Sequence, residues 1–173
     1  THRDFIFHMT DRDEPRDTPE RIAAADTYFA SIGANVITGG NRACYIPADD
    51  RIHVPHLSQF EQPALYYSTT CHEHVHWTAH PTRLARDLTG RFGDDAYAVE
   101  ELIAELGAAF WCAQSAIAPA TRYDHASYLA HWVRVLKEHP RVLLTVAARA
   151  QAALDYLNQL AGVTTAAATA DAA

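Results

Sequence analysis

No segment of the chain approaches the roughly 18–20 consecutive apolar residues needed to cross a bilayer, so no membrane span is expected. Cysteine is scarce: Cys44, Cys71 and Cys112 are scattered and odd in number. A disulfide framework is therefore not expected, and a reducing cytoplasm is the default compartment. Basic charge is also in short supply. Lys and Arg total 14 against 21 Asp and Glu, a formal net charge of -7 over 173 residues. That balance argues against nucleic-acid binding through a broad basic face. Thr1-His2-Arg3-Asp4 leads into a polar, charged stretch with no long apolar core, so no secretory leader is read there. A chain opening on Thr1 rather than Met is expected to be a piece or a processed product of a longer protein. No internal repeat is visible.

What the sequence has in surplus is histidine, 11 residues in all. Hydrophobic residues make up 49% and charged residues 20%, which fits one soluble globular domain with a real core. A surplus of His in an acidic chain directs attention to metal ligands.

Residues 1–18 are charge-dense and read as an extended arm. Thr18-Pro19-Glu20 carries the marks of a helix start, and Ile22, Ala25, Phe29 and Ile32 give that helix an apolar side ending at Gly33. Three short strands are expected at 35–38, 43–46 and 51–54, with a Gly39-Gly40 turn and a Pro47–Asp50 hairpin loop between them. A second helix is expected from Gln62-Pro63 to about Ala79 and a third from Ala96 to Gln114, capped by Asp94-Asp95. Two more helices are read at 126–137 and 140–160. Residues 19–162 would then form one domain, followed by an Ala/Thr-rich disordered tail at 163–173.

His72-Glu73-His74-Val75-His76 contains H-E-x-x-H. On a helix, positions i and i+4 share a face one turn apart, so His72 and His76 are placed to chelate one tetrahedral zinc ion. Glu73 lies about 100° round the same turn, within reach of a metal-held water whose proton it can accept. Chance alone would put this motif somewhere in the chain with a probability of roughly 3%. A third ligand is expected from Glu100-Glu101-Leu102-Ile103-Ala104-Glu105. Glu101 and Glu105 share a face, which is mildly destabilising unless a metal accounts for it. Glu101 is read as the ligand and Glu105 as the hydrogen-bond partner of a ligand His. Glu100, about 100° away, is the weaker candidate. Ala104, Ala108 and Cys112 are small and would let this helix come close to the one carrying the His pair.

These segments extend into a longer resemblance. Tyr66 through Thr78, His80-Pro81, Arg83-Leu84, Arg91-Phe92-Gly93-Asp94, Tyr97, Glu100-Glu101-Leu102 and Ala104 through Phe110 resemble the C-terminal zincin-like metallopeptidase domain of the ArdC antirestriction family. That family is related to the TraC-type primases of conjugative plasmids. Gly39-Gly40-Asn41-Arg42-Ala43 and Tyr45 fit upstream; Tyr128-Leu129, Trp132, Val135-Leu136-Lys137, Ala150-Gln151-Ala152-Ala153 and Tyr156-Leu157 fit downstream. The resemblance covers roughly Ile22 to Leu160. It implies a gluzincin-like site of His72, His76 and a Glu on the following helix, with Glu73 as catalytic base. It also implies a role in mobile-element transfer, protecting incoming DNA from host restriction. Family members usually carry a separate N-terminal domain that binds single-stranded DNA. This chain is too short to hold it, so strong nucleic-acid binding is not expected of it.

Other residues stay open between site and scaffold. Tyr97, one turn before Glu101, is read as a hydroxyl donor to the oxyanion, with packing as the equal alternative. His53 and His56 are placed either along the cleft or as ordinary hairpin residues, His74 as a hydrogen-bonding or surface residue, and His80 as a helix-end residue or a flank of the site. Arg42 is read as a carboxylate binder for substrate or for an acidic neighbour. Cys71, Trp77, Trp111 and Trp132 are read as core.

The expectation is an α+β zincin-like fold with a small, mainly antiparallel sheet and a helical C-terminal half. Its activity would be zinc-dependent hydrolysis of a peptide or protein substrate. The rival is a metal-stabilised protein-binding domain without turnover. Oligomeric state is not legible.

Overall fold

The computed structural model describes residues 20–88, 95–117 and 142–163. The expected arm, the helix read at 126–137 with Trp132, the Asp94 cap and the tail beyond Val163 lie outside the described residues.

Helix α1 runs Ala23–Ile32 and buries Ala25, Tyr28, Phe29 and Ile32, an i, i+3, i+4, i+7 stripe. Gly33 closes it in the left-handed conformation at φ 75°. The helix starts later than the Thr18-Pro19 signals suggest. At Ile22 the backbone is extended (φ -95°, ψ 99°), and its N–H donates to the Tyr67 hydroxyl at 3.1 Å. Tyr67 in turn donates to Asp26 at 2.8 Å, and Asp26 also accepts from Arg21 at 2.6 Å. A tertiary bond therefore takes the N–H of Ile22 and holds that residue out of the helix.

Strands β1 (Asn35–Thr38), β2 (Cys44–Ile46) and β3 (Arg51–Val54) form one sheet in the order β1-β3-β2. β1 pairs with β3 in parallel and β2 with β3 antiparallel, so the sheet is mixed rather than mainly antiparallel. After β1 the chain turns at Gly39 and Gly40, both at positive φ, and lays β2 beyond the place that β3 will fill. A short 3-10 turn at Pro47–Asp49 and a left-handed Asp50 then return the chain into the gap. Ile52 and Val54 are fully buried from this central strand.

Helix α2 (Pro63–Thr78) is the axis of the molecule. It starts on Pro63, whose missing N–H costs nothing at a first helical position. Every residue from Leu65 to Thr78 is buried, with β2 and β3 packed against the helix as well as α3 (Asp95–Gln114) and α4 (Val142–Ala161). Several buried α2 side chains are polar and bond back to the helix's own carbonyls. Thr70 donates to Tyr66, Ser68 to Leu65 and Thr78 to Val75, while His74 Nδ1 donates to Thr70 at 2.7 Å. A polar helix can thus sit in a core with much of its hydrogen bonding met internally.

α3 packs antiparallel on α2, and one residue sets their separation. A Cβ placed on Gly107 would fall 2.7 Å from Cγ2 of Val75, inside van der Waals contact. The two helices therefore come too close at Gly107 for a side chain there, with the small residues Ala104 and Ala108 nearby in sequence. At the far end, Asn158 of α4 accepts from Tyr28 at 2.9 Å and exchanges hydrogen bonds with Gln114, joining α1, α3 and α4.

Candidate metal centre

The i, i+4 spacing on α2 brings the His72 and His76 rings to 4.7 Å between centroids, and their Nε2 atoms to 3.1 Å. Across from them, the Glu101 carboxylate of α3 sets one oxygen 3.4 Å from His72 Nε2 and the other 3.5 Å from His76 Nε2. Neighbouring donors of a tetrahedral ion with bonds of about 2.0–2.1 Å sit about 3.3–3.4 Å apart. The three donors thus match a divalent metal in spacing and in chemistry, two imidazole nitrogens and one carboxylate. All three side chains are buried.

The outer nitrogens decide how the rings face. His76 Nδ1 lies 3.1 Å from Glu100 Oε1, and His72 Nδ1 lies 3.2 Å from Glu105 Oε1. A carboxylate only accepts, so the hydrogen bonded to Glu100 sits on His76 Nδ1 and His76 Nε2 is left to face the gap, while Glu105 is an ion-pair neighbour of His72 Nδ1. The two Nε2 atoms face each other at 3.1 Å, a spacing suited to a shared cation. Burial opposes charge on His76, but the Glu101 carboxylate and bonds to Glu100 and Glu101 outweigh it, holding its pKa well above the ordinary imidazole value. For Glu101, burial pushes the carboxyl up, yet the His76 charge and the bonds to both imidazoles pull its pKa down to about 2. Glu100 is likewise held low, its burial outweighed by its bonds to His76 and Arg86.

Glu73 is fully buried on the turn it shares with His72. Tyr97 is buried on α3, one turn before Glu101 and on the same face. Among the described residues, the other histidines are not part of the three-donor cluster. His74 is a buried residue packed 4.8 Å from the Phe29 ring, and burial lowers its pKa to about 4, partly opposed by its bond to the Thr70 carbonyl. His80 is a helix-end residue bonded to Thr82 at 2.8 Å. His53 alternates with Ile52 and Val54 on β3, so it points to the sheet face opposite the core. His56 is exposed. Arg42 is half-buried before β2. Cys71, Trp77 and Trp111 are core residues, and all three cysteines are free and buried.

Two neighbours of the site escape a sequence reading. Glu100 lies outside the three-donor cluster and bonds to His76, and Arg86 bonds to Glu100 at 2.9 and 3.0 Å. A run with three carboxylates opposite two imidazoles is itself a signal for Glu100, since each ring needs a partner besides the ligand. Arg86 stands in a loop with no periodic pattern, and nothing in the sequence marks it.

Residues 23–149 match the zincin-like metallopeptidase family. The chain belongs to that family. It is 38% identical over 139 residues to the Sinorhizobium fredii protein y4eC, covering 80% of this chain and 45% of that protein. It is 37% identical over 137 residues to the DNA primase TraC of Escherichia coli, covering 79% of this chain and 13% of the primase. Among solved structures it is similar to the antirestriction ArdC protein from plasmid R388 in its Mn(II)-bound form, with 37% identity and a TM-score of 0.75 over 88% of this chain and 57% of that one. The metal-free form of the same protein gives a TM-score of 0.73. The chain thus spans about half of y4eC and of ArdC, and a small part of TraC. The likeness in fold agrees with the mixed α+β architecture described above, and no described helix is long and apolar enough to cross a membrane.

Proposed function

We propose that this domain is a zinc-dependent peptide hydrolase acting on a protein substrate in the antirestriction setting of its relatives. The observation that carries the reading is the three-donor cluster of His72, His76 and Glu101, spaced for one ion and buried between α2 and α3. Zinc, when bound, would polarise the scissile carbonyl and lower the pKa of a bound water. His72, His76 and Glu101 would hold it, with Glu100 keeping His76 in its metal-facing tautomer and Glu105 lying beside His72. Glu73 would take the proton of the attacking water on its carboxylate and return it to the leaving amine. The Tyr97 hydroxyl would donate to the oxygen that gains negative charge. Three buried free thiols fit a reducing cytoplasm as the compartment.

Metal content and one isosteric variant test the proposal. The purified chain is expected to hold one zinc ion, lost on His76→Ala. Glu73→Gln is expected to keep the ion while peptide cleavage falls by roughly 10²–10⁴. A protein without affinity for zinc overturns the reading. Retained protection of DNA in Glu73→Gln replaces it with the rival, a metal-stabilised domain that acts by binding a protein partner.

A further inference from the structure

We propose that Arg86 is a positioning residue of the metal site, acting through Glu100 to fix the ring of His76. The inference rests on the metal reading of the site. The Arg86 and Glu100 side chains are each only 7% exposed. Arg86 donates from Nε to Glu100 Oε2 at 3.0 Å and from Nη2 to Oε1 at 2.9 Å, a planar two-point fork. The same guanidinium donates from Nη1 to Thr78 Oγ1 at 2.9 Å and from Nη2 to the Val75 carbonyl at 2.7 Å. It is therefore anchored to the C-terminal turn of α2 while it grips a carboxylate on α3.

The consequence for His76 is geometric. Glu100 Oε1 accepts from both Arg86 and His76 Nδ1. With both oxygens held by one rigid fork, the carboxylate plane has no freedom to rotate. The imidazole bonded to it is then fixed about its own side-chain torsion, with Nε2 aimed at Glu101 and His72. A lysine has a point charge and no fork, so it would neutralise Glu100 without fixing its plane. Beside His72 the carboxylate is more exposed, Glu105 at 16% against 7% for Glu100. The brace on His76 comes from outside both helices that carry the cluster.

The test compares the full chain with Arg86→Met, Arg86→Lys and Glu100→Gln. Zinc affinity is read by chelator competition and site geometry by the visible spectrum of the Co(II)-loaded protein. Both are recorded at a temperature where circular dichroism shows each metal-free variant folded. Arg86→Met is expected to weaken zinc binding 10–100-fold and to alter the cobalt bands, and Arg86→Lys is expected not to restore either. Because Arg86 acts through Glu100, the Arg86→Met/Glu100→Gln double variant is expected to bind no more weakly than Glu100→Gln alone. A purely structural Arg86 would lower the melting temperature of the metal-free protein and leave zinc affinity and cobalt spectrum unchanged. That result, or additive losses in the double variant, overturns the inference. If Arg86→Met fails to fold, Glu100→Gln carries the same affinity test. A wild-type chain that binds no zinc defeats the metal reading itself, whereas wild-type binding with unaltered variants defeats only the role of Arg86.

Discussion

Two arginines follow α2 within four residues of each other, and they do different jobs with the same chemistry. Arg83 and Arg86 side chains are equally buried, and each forks onto one carboxylate and one α2 carbonyl. Arg83 turns toward the sheet. It donates to Asp50 and to the Tyr45 hydroxyl, bonds to the Trp77 carbonyl at 2.6 Å, and stacks 3.9 Å over the Trp77 ring. Its carboxylate partner Asp50 is 41% exposed and also accepts from the Tyr45 hydroxyl at 2.9 Å. Arg86 turns toward α3, and its partner Glu100 is buried and bonded to His76. What the partner touches next, not the ion pair itself, separates a fastening of helix to sheet from a brace on metal chemistry.

Widening the gap between α2 and α3 should break the Arg86 side and spare the Arg83 side. Gly107→Ala places a methyl 2.7 Å from Val75 Cγ2. Overpacking of this kind costs about 1–3 kcal/mol, against a gain of up to ~1 kcal/mol from the better helix former. We expect a lower melting temperature together with weaker zinc binding, because α3 carries Glu101. Adding Val75→Ala should recover both, and unchanged zinc affinity in Gly107→Ala would show that the helix spacing does not set the site.

Arg83→Met is the converse experiment. Losing charged hydrogen bonds and the ring contact should cost about 2 kcal/mol of stability. Zinc affinity of the folded protein should stay within twofold, measured by the same chelator competition. A tenfold loss would erase the distinction between the two arginines.

The smallest effect is expected in acid. The hydrogen bond from Arg83 holds the Asp50 carboxyl below its ordinary value, with burial opposing and Tyr45 assisting. A carboxyl whose folded pKa is depressed adds stability that is full above its unfolded pKa, about 3.9, and is lost as pH falls through the folded value. Urea melts taken below about pH 4 should therefore show a loss in the wild type that Arg83→Met lacks. Solvent at Asp50 keeps this contribution small.

The same pair of regions shows what a sequence can disclose. The facing of His72 and His76 follows from helix periodicity, as does the proximity of Glu101 and Glu105 to one another. The part played by Glu100 does not follow, because a face-by-face reading of α3 asks which residues share a direction. The Nδ1 atoms of the two histidines point in different directions, and Glu100 and Glu105 meet them from different sides of Glu101. Arg86 depends on where a loop returns, which no local pattern encodes. The start of α1 fails for a similar reason: the cap signals at Thr18 and Pro19 are local, while the bond from Ile22 to Tyr67 spans 45 residues. The mixed sheet turns on which side of β3 the β2 strand falls, and strand patterns are silent on order.

The burial of α2 and α3 has an electrical side. Glu100, Glu101 and Glu105 converge around His72 and His76, and Arg86 bonds to Glu100. Carboxylates gathered this closely repel one another in a medium that screens poorly. A bound divalent ion would then act as the counterion of the fold, and its loss should be felt as a lower melting temperature well before any substrate is offered.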